Sequence, residues 1–280
     1  MSMKIDTVTS IAKKEIMDNI RNKWIILVSI MFAILTLVVS YFGSLMSHGW
    51  QNLGVTISGM TFLVTLLISI IGFMLGYAAI IGEIESGSMS ALLSLTATRF
   101  EIAMGKFLGL GSVLCFTVLA GFGAAGIVIG LNVSNVDYLQ YLGFIGMTMV
   151  FGLVFLSVAL FFSTVFSKRS TALGGTIFLW FLFIIILPIV FVGLLATAIN
   201  LLNIAQESIP TWYYVLELFN PVSVYSALIG ITIGPVSSMT GEGNVPYPSW
   251  YSPGLLLGVL VVWILLFFIL ASWRFNQKDV

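Results

Sequence analysis

The chain has 280 residues, of which 59% are hydrophobic and 8% are charged, and its formal net charge is zero. Because soluble domains carry about 25% charged residues, this deficit makes lipid the solvent for most of the chain, and the zero net charge gives no attraction for nucleic acid. The one cysteine, Cys115, excludes an internal disulfide framework and a CxxC metal motif.

The first predicted element is an amphipathic helix over residues 1–23. Its apolar residues recur at steps of three and four, with lysines, Asp18 and Arg21 on the other face; they are Ile5, Val8, Ile11, Ala12, Ile16 and Ile20. We expect this helix to lie in the cytoplasmic interface of the membrane. The same pattern also fits a segment that only orients the first span. The long polar start argues against a cleavable signal peptide.

Six apolar runs without Asp, Glu, Lys, Arg or His predict six transmembrane helices. They cover about 24–43, 55–82, 107–131, 141–166, 171–199 and 253–273. In this arrangement all 11 lysines and arginines fall on one side, which the positive-inside rule makes cytoplasmic. The prediction is therefore an all-α, multi-pass protein of the cell (plasma or inner) membrane, with a single transmembrane domain over 1–280 and both termini in the cytoplasm.

The spans lack the ionisable residues that coupling ions require, which disfavours a secondary carrier. Gly105-Lys106 is not a phosphate-binding loop, because Phe100 and Phe107 occupy its first glycine and hydroxyl positions. We therefore predict that the chain is not itself an enzyme. Within the spans, the Gly72–Gly76 spacing is typical of close helix packing, and Pro188 predicts a kink in the fifth span.

A polar insert follows the second span and predicts a cytoplasmic helical finger over 83–98. Its serines and glutamates alternate with leucines up to Leu95, and the sequence Thr98-Arg99-Phe100-Glu101 matches a capping box that would begin the next helix. Apolar side chains at a cytosolic boundary usually dock on something. A partner protein is one interpretation; the chain's own span ends or lipid headgroups are the alternative.

The segment 200–252 is predicted to lie outside the membrane or dip into its outer leaflet. It is rich in aromatic residues that suit a membrane interface, and Asn220-Pro221 would break its short helices. The candidate residues of an external gate or a docking surface for an extracytoplasmic partner are Trp212, Tyr213, Tyr214, Asn220 and Pro221. A lid and anchor is the alternative. No spacing predicts a metal site, although Met46 and His48 are soft ligands.

Three stretches resemble one family. The insert EIESGSMSALLSLTATRFEIAMGKFLG resembles the segment after the second span of ABC-2-type permeases. The N-terminal IAKKEIMDNIRNKW resembles the interfacial helix of that family, and LFNPVSVYSAL resembles its external NP segment. The likeness covers nearly the whole chain and is best to the NosY-type branch, the permeases of nitrous-oxide reductase maturation transporters. It implies the ABC-2 (type V exporter-like) permease fold.

The resemblance also implies partners and roles. The insert would be a coupling helix in a groove of an ATPase subunit, through Glu83, Glu85, Gly87, Ser88, Leu92, Leu93, Thr98 and Arg99, with Lys168 and Arg169 in a second, smaller contact. Two ATPase copies would bind ATP and Mg²⁺, no cofactor would bind this chain, and a second permease copy would complete a dimer. The implied cargo is a sulfur or copper species; a lipid or peptide exporter and a non-transporting scaffold remain alternatives.

Overall fold

The computed structural model describes residues 5–20, 23–42, 53–89, 97–132, 137–198, 209–233 and 247–278. Within these ranges the chain forms helices and no β-strand. The α-helices are α1 (Ile5–Ile20), α2 (Lys23–Phe42), α3 (Leu53–Gly76), α4 (Ile81–Glu85), α5 (Arg99–Asn132), α6 (Tyr138–Val165), α7 (Arg169–Phe181), α8 (Leu187–Ala198), α9 (Thr211–Glu217), α10 (Pro221–Thr232) and α11 (Pro253–Gln277). A π-helical turn, Leu182–Ile186, joins α7 to α8.

Five stretches of the described chain are long and apolar enough to cross a membrane. They are Gly59–Glu85, Arg99–Asn132, Tyr138–Val165, Arg169–Ala198 and Pro253–Gln277. The helices α9 and α10 meet at 115° and would add a sixth span only if the bent pair were counted as one. Because α2 covers the first predicted run but is not among the five, the count of six spans stays a prediction.

The central element is α6, which packs against α3, α5 and α11. In its most apolar window 72% of the residues are buried within the chain, as expected for a helix that is hydrophobic on all sides. Phe151 and Phe155 are fully buried there, and the Phe151 ring stacks on Tyr225 of α10 at a centroid distance of 4.4 Å. The core therefore joins the spans to the bent pair α9–α10.

Glycines let α3 approach α6 at backbone distance. A Cβ atom on Gly76 would lie 2.6 Å from the Ala159 Cβ and 2.9 Å from the Leu156 carbonyl oxygen. A Cβ atom on Gly72 would lie 2.9 Å from the Gly152 carbonyl oxygen. Contacts this short exclude any side chain larger than hydrogen without movement of a helix. The close packing predicted from the Gly72–Gly76 spacing is therefore confirmed.

The N-terminal helix α1 packs on α5 through its apolar face. Val8 and Ile11 are buried, and a Cβ atom on Gly105 would lie 2.7 Å from the Ile11 Cβ. Gly109 likewise leaves room for the backbone of α1, since a Cβ atom at this position would lie 2.8 Å from the Ala12 carbonyl oxygen. The helix is thus seated on α5 by a Gly-x-x-x-Gly pair, and its position at a membrane interface stays a prediction.

Candidate functional site

The candidate site is the end of the bundle where α4, α5, α6, α7 and α11 begin or end. Here α5 starts at Arg99, earlier than the predicted span, because a capping box sets its first turn. The Thr98 amide donates to Glu101 Oε2 at 2.8 Å, and the Glu101 amide donates to Thr98 Oγ1 at 3.2 Å. The capping box predicted from the sequence is therefore confirmed.

The predicted finger is not one continuous helix, and this part of the prediction is wrong. The short helix α4 ends at Glu85, and a turn follows in which Gly87 has φ 74°. Glycine reaches this left-handed conformation without the strain that a Cβ would cause. Ser88 and Met89 resume helical geometry, and residues 90–96 lie outside the described part. Residues 86–88 at this turn are exposed.

A single hydroxyl fixes the start of α4. The amides of Ile80 and Ile81 both donate to Ser163 Oγ on α6, at 2.9 and 3.0 Å. These amides lie where the turn after α3 leads into α4. The first amides of a helix have no acceptor within that helix. Ser163 supplies the acceptor in a fully buried position. The orientation of α4 is therefore set by α6.

A buried ion cluster joins α1, α4 and α5. The ammonium of Lys106, whose side chain is 2% exposed, donates to Glu15 Oε1 at 2.6 Å and to Glu83 Oε1 at 2.8 Å. The half-exposed Lys14 adds a longer ion pair to Glu83 at 3.5 Å. Charge-assisted hydrogen bonds are the stronger class of hydrogen bond. One lysine thus ties the N-terminal helix to the base of the insert.

A second ion pair ties α4 to the start of α7. Arg169 Nε lies 3.2 Å from Glu85 Oε2, and the Arg169 amide donates to Glu85 Oε1 at 2.9 Å. The guanidinium also donates to the Gly82 carbonyl. Lys168, the residue before α7, is exposed. The predicted second contact segment therefore lies directly beside the insert.

Basic side chains also close the C-terminal ends of two helices. Arg99 donates to the carbonyls of Phe275, at 2.8 Å, and Asn276, at 3.1 Å, at the end of α11. Lys278 donates to the carbonyls of Thr164 and Phe166 at the end of α6, at 3.1 and 2.5 Å. Carbonyls at a helix end lack partners inside the helix and attract cations. Burial, and then the charge of Arg274, lowers the pKa of Lys278.

The predicted docking residues therefore divide into three groups. Glu83, Glu85, Thr98, Arg99 and Arg169 bind within the chain and form the base of the insert. Gly87, Ser88 and Lys168 are exposed, although the Ser88 hydroxyl also donates to the Glu83 carbonyl at 3.4 Å. Leu92 and Leu93 lie outside the described residues. Contact between any of these residues and an ATPase stays a prediction.

Sequence reasoning did not assign Glu15, Lys106 or Ser163 to the site, and it considered Lys106 only as the end of a rejected phosphate-binding loop. Lys106 is 91 residues from Glu15 and 23 residues from Glu83 in the chain, and hydropathy does not pair residues across such distances. One signal was present, since Lys106 lies between Gly105 and Gly109, the seat of α1. A lysine inside a helix-packing motif is a candidate for a buried ion pair.

At the other end of the bundle the predicted gate residues are mostly buried. Trp212 is 41% exposed, whereas Tyr213, Tyr214, Asn220 and Pro221 are buried. Four of these five side chains therefore face the chain itself, and their role in an external gate or docking surface stays a prediction. The break predicted at Asn220-Pro221 is where α9 and α10 bend by 115°.

The described residues contain no group of three or more His, Cys, Asp or Glu that could hold a metal ion. Met46 and His48, the weak candidates from the sequence, lie outside the described ranges. Cargo binding by this pair stays untested.

Comparison with known proteins gives one family and two relatives. A family model described as ABC-2 family transporter protein matches residues 9–280. The chain is 31% identical over 281 residues to a protein of Pseudomonas aeruginosa named probable ABC transporter permease protein NosY, with 98% of this chain and 99% of the relative covered. A protein of the same name from Stutzerimonas stutzeri is 31% identical over 268 residues, which covers 94% of this chain and 93% of the relative.

Proposed function

Because the chain belongs to the ABC-2 transporter family, we propose that it is a permease subunit whose cytoplasmic ATPase partner docks on the segment 86–96. The observation that carries this proposal is the base beneath that segment. Lys106 and Arg169 join α4 to α1, α5 and α7 through ion pairs, while the turn at 86–88 is exposed. A force on the turn therefore meets a rigid support.

The proposed docking surface differs from the one that the sequence alone indicates. Glu83, Glu85, Arg99 and Arg169 act as the support, because their charges are already paired or bonded within the chain. The contact itself belongs to Gly87 and Ser88, the leucines Leu92 and Leu93 that follow, and the exposed Lys168. ATP and Mg²⁺ would bind only to the partner, and two ATPases with a second permease copy would complete the transporter.

The mechanism is a rigid-body movement of helices. An ATPase that closes on ATP displaces the docked segment, and the ion-paired base passes this displacement to α5 and, through Ser163, to α6. Rigid-body movement of packed elements is a common way to transmit such a change. The side that carries the base and both termini is the cytoplasmic side in this proposal.

The docking proposal is tested by the double substitution Leu92→Asp/Leu93→Asp. Burying a leucine contributes about 1.5–3 kcal/mol, so we expect the two changes together to weaken ATPase binding by about 100-fold or more. The measurement is co-purification of the ATPase, followed by titration in detergent. The matched control is Ile5→Asp/Met17→Asp, which alters two exposed apolar residues of α1 and should leave binding intact. Wild-type affinity in the leucine variant would refute the docking surface.

We further propose a NosY-like role, in which a sulfur or copper species moves across the membrane for metalloenzyme maturation. The two relatives named NosY, similar over nearly the full chain, support this choice. Reconstituted with its ATPase in proteoliposomes, the permease should move a radiolabelled sulfur compound or copper when ATP is added. Flux of a labelled phospholipid or peptide instead would identify an exporter of that class, and binding of the ATPase without any flux would identify a scaffold.

A further inference from the structure

The π-helical turn in the fifth predicted span leaves one carbonyl without its helical donor. In this turn the Leu187 amide donates to the Leu182 carbonyl, five residues back, which is the π-helical pattern. The next residue, at position 188, would in the same register donate to the carbonyl of Phe183. That residue is Pro188, which has no N–H. The span thus combines a wider turn with a missing hydrogen bond.

Asn220 supplies the missing donor from another helix. Its Nδ2 donates to the Phe183 carbonyl oxygen at 2.9 Å, and its Oδ1 accepts from the Val222 amide at 3.0 Å, which caps the first turn of α10. The Asn220 side chain is fully buried, so both groups need protein partners. One amide therefore satisfies backbone groups of two elements that are 37 residues apart in the chain.

The α7 side of the turn contacts α3 and α6 at specific points. On the α7 side, Trp180 Nε1 donates to Ser69 Oγ of α3 at 3.0 Å, and a Cβ on Gly175 would lie 2.8 Å from the Phe162 ring of α6. Yet only 11% of the most apolar window of Arg169–Ala198 is buried, against 72% for α6. The span is therefore attached to the chain at a few points, and Asn220 is one of them.

We propose that the turn Leu182–Ile186 is a hinge and that Asn220 is its pin, the side chain that holds the α9–α10 corner on this turn. When the span bends, the bent pair α9–α10 then moves with it. π-Helical turns and prolines are the usual sites of helix bending. Asn220 is a positioning residue, since it acts by holding the α9–α10 corner on the hinge. The use of this movement in transport rests on the proposed function; the pin itself does not.

The first test is a double-mutant cycle of Asn220→Ser and Pro188→Ala, measured by thermal unfolding. Serine is a good N-cap but is too short to reach the Phe183 carbonyl, so the substitution removes the bridge and keeps the cap. We expect the Tm of the full chain in detergent to fall by about 2–6 °C, as for a buried acceptor left unpaired. In the Pro188→Ala background the restored N–H can bind that carbonyl, and the loss from Asn220→Ser should shrink to less than half.

The second test measures the pin directly. In a Cys115→Ser background, spin labels are attached to cysteines at Phe219, in the α9–α10 corner, and at Ile189, on α8 just beyond the turn; both native side chains are exposed, by 66% and 65%. The full chain in lipid nanodiscs should give one narrow distance distribution. Asn220→Ser should broaden it, and adding Pro188→Ala should restore the Tm without narrowing the distribution.

The control is Asn132→Ala, because the Asn132 amide bonds only to the Val128 carbonyl of its own helix among the contacts described, at 2.8 Å. It should change neither the Tm nor the distance distribution. An equal Tm loss from Asn220→Ser in both backgrounds would overturn the bridging role, and a narrow distribution in Asn220→Ser would overturn the pin. Neither measurement requires an ATPase, so failure here and failure of the proposed function are distinguishable.

Discussion

Replacing Lys106 by methionine is expected to destabilise the permease by about 3–5 kcal/mol, the usual cost of removing one partner from a buried ion pair. The reason is that Glu15 and Glu83 would then face each other at the end of α4, with side chains only 12% and 16% exposed. Glu83 Oε2 already has no hydrogen-bond partner in the described part of the chain. Thermal unfolding in detergent should record a Tm that is lower by at least about 6 °C.

Two controls separate charge burial from the loss of a side chain. Lys14→Met removes the half-exposed partner of Glu83, and exposed pairs contribute about 0–1 kcal/mol, so its Tm should be close to that of the wild type. The triple variant Lys106→Met/Glu15→Gln/Glu83→Gln removes all three charges and should recover most of the loss. If the triple variant is as unstable as Lys106→Met, the unpaired carboxylates are not the cause.

The same cluster should matter for coupling. If Lys106 joins the docked segment to α1 and α5, its loss lets α4 move without displacing these two helices. In the complex with the ATPase, we expect the triple neutral variant to hydrolyse ATP while transport per ATP falls several-fold.

Substituting Gly76 by alanine is expected to have the second large effect, a loss of about 1–3 kcal/mol from overpacking. The new Cβ would lie 2.6 Å from the Ala159 Cβ and 2.9 Å from a backbone carbonyl of α6, so α3 must move away from the central helix. The Tm of the purified chain measures this effect. Adding Gly72→Ala, which meets α6 one turn earlier, should lower the Tm further.

Matched variants distinguish close packing from a general effect of alanine. Gly146 on α6 has no atom within 4 Å of its Cβ position, and alanine favours helix there, so Gly146→Ala should be neutral or stabilising. Ala159→Gly removes the nearest atom and should rescue part of the Gly76→Ala loss. A Gly76→Ala protein as stable as Gly146→Ala would show that α3 and α6 adjust without cost.

Local chemistry made much of the fold predictable from the sequence. Apolar runs located the long helices, because a bilayer demands about 20 apolar residues for each crossing. The capping box predicted the start of α5 near Thr98, since its two hydrogen bonds join residues three apart. The Gly72–Gly76 spacing predicted close packing, although not that α6 is the partner helix.

The site was less predictable, because its contacts join distant parts of the chain. The insert contained Glu83, Glu85 and Arg99, and the family resemblance implied that they contact an ATPase. The partners that bind them within the chain, Lys106, Arg169 and the end of α11, depend on how the helices are arranged. The break in the finger was present in the sequence as Gly87, but glycine alone does not distinguish a turn from a flexible helix.

The hydroxyl of Ser163 has a consequence for how the two ends of the insert move. Its one oxygen holds two successive amides at the start of α4, so α4 cannot rotate about its own axis without first leaving α6. The α4 side of the insert is thus held by α6, which has the largest buried share among the candidate spans of the described residues, while residues 97 and 98 lead into α5. A pull on the insert would therefore reach α6 through Ser163 and α5 through Lys106, so that two neighbouring helices share the load.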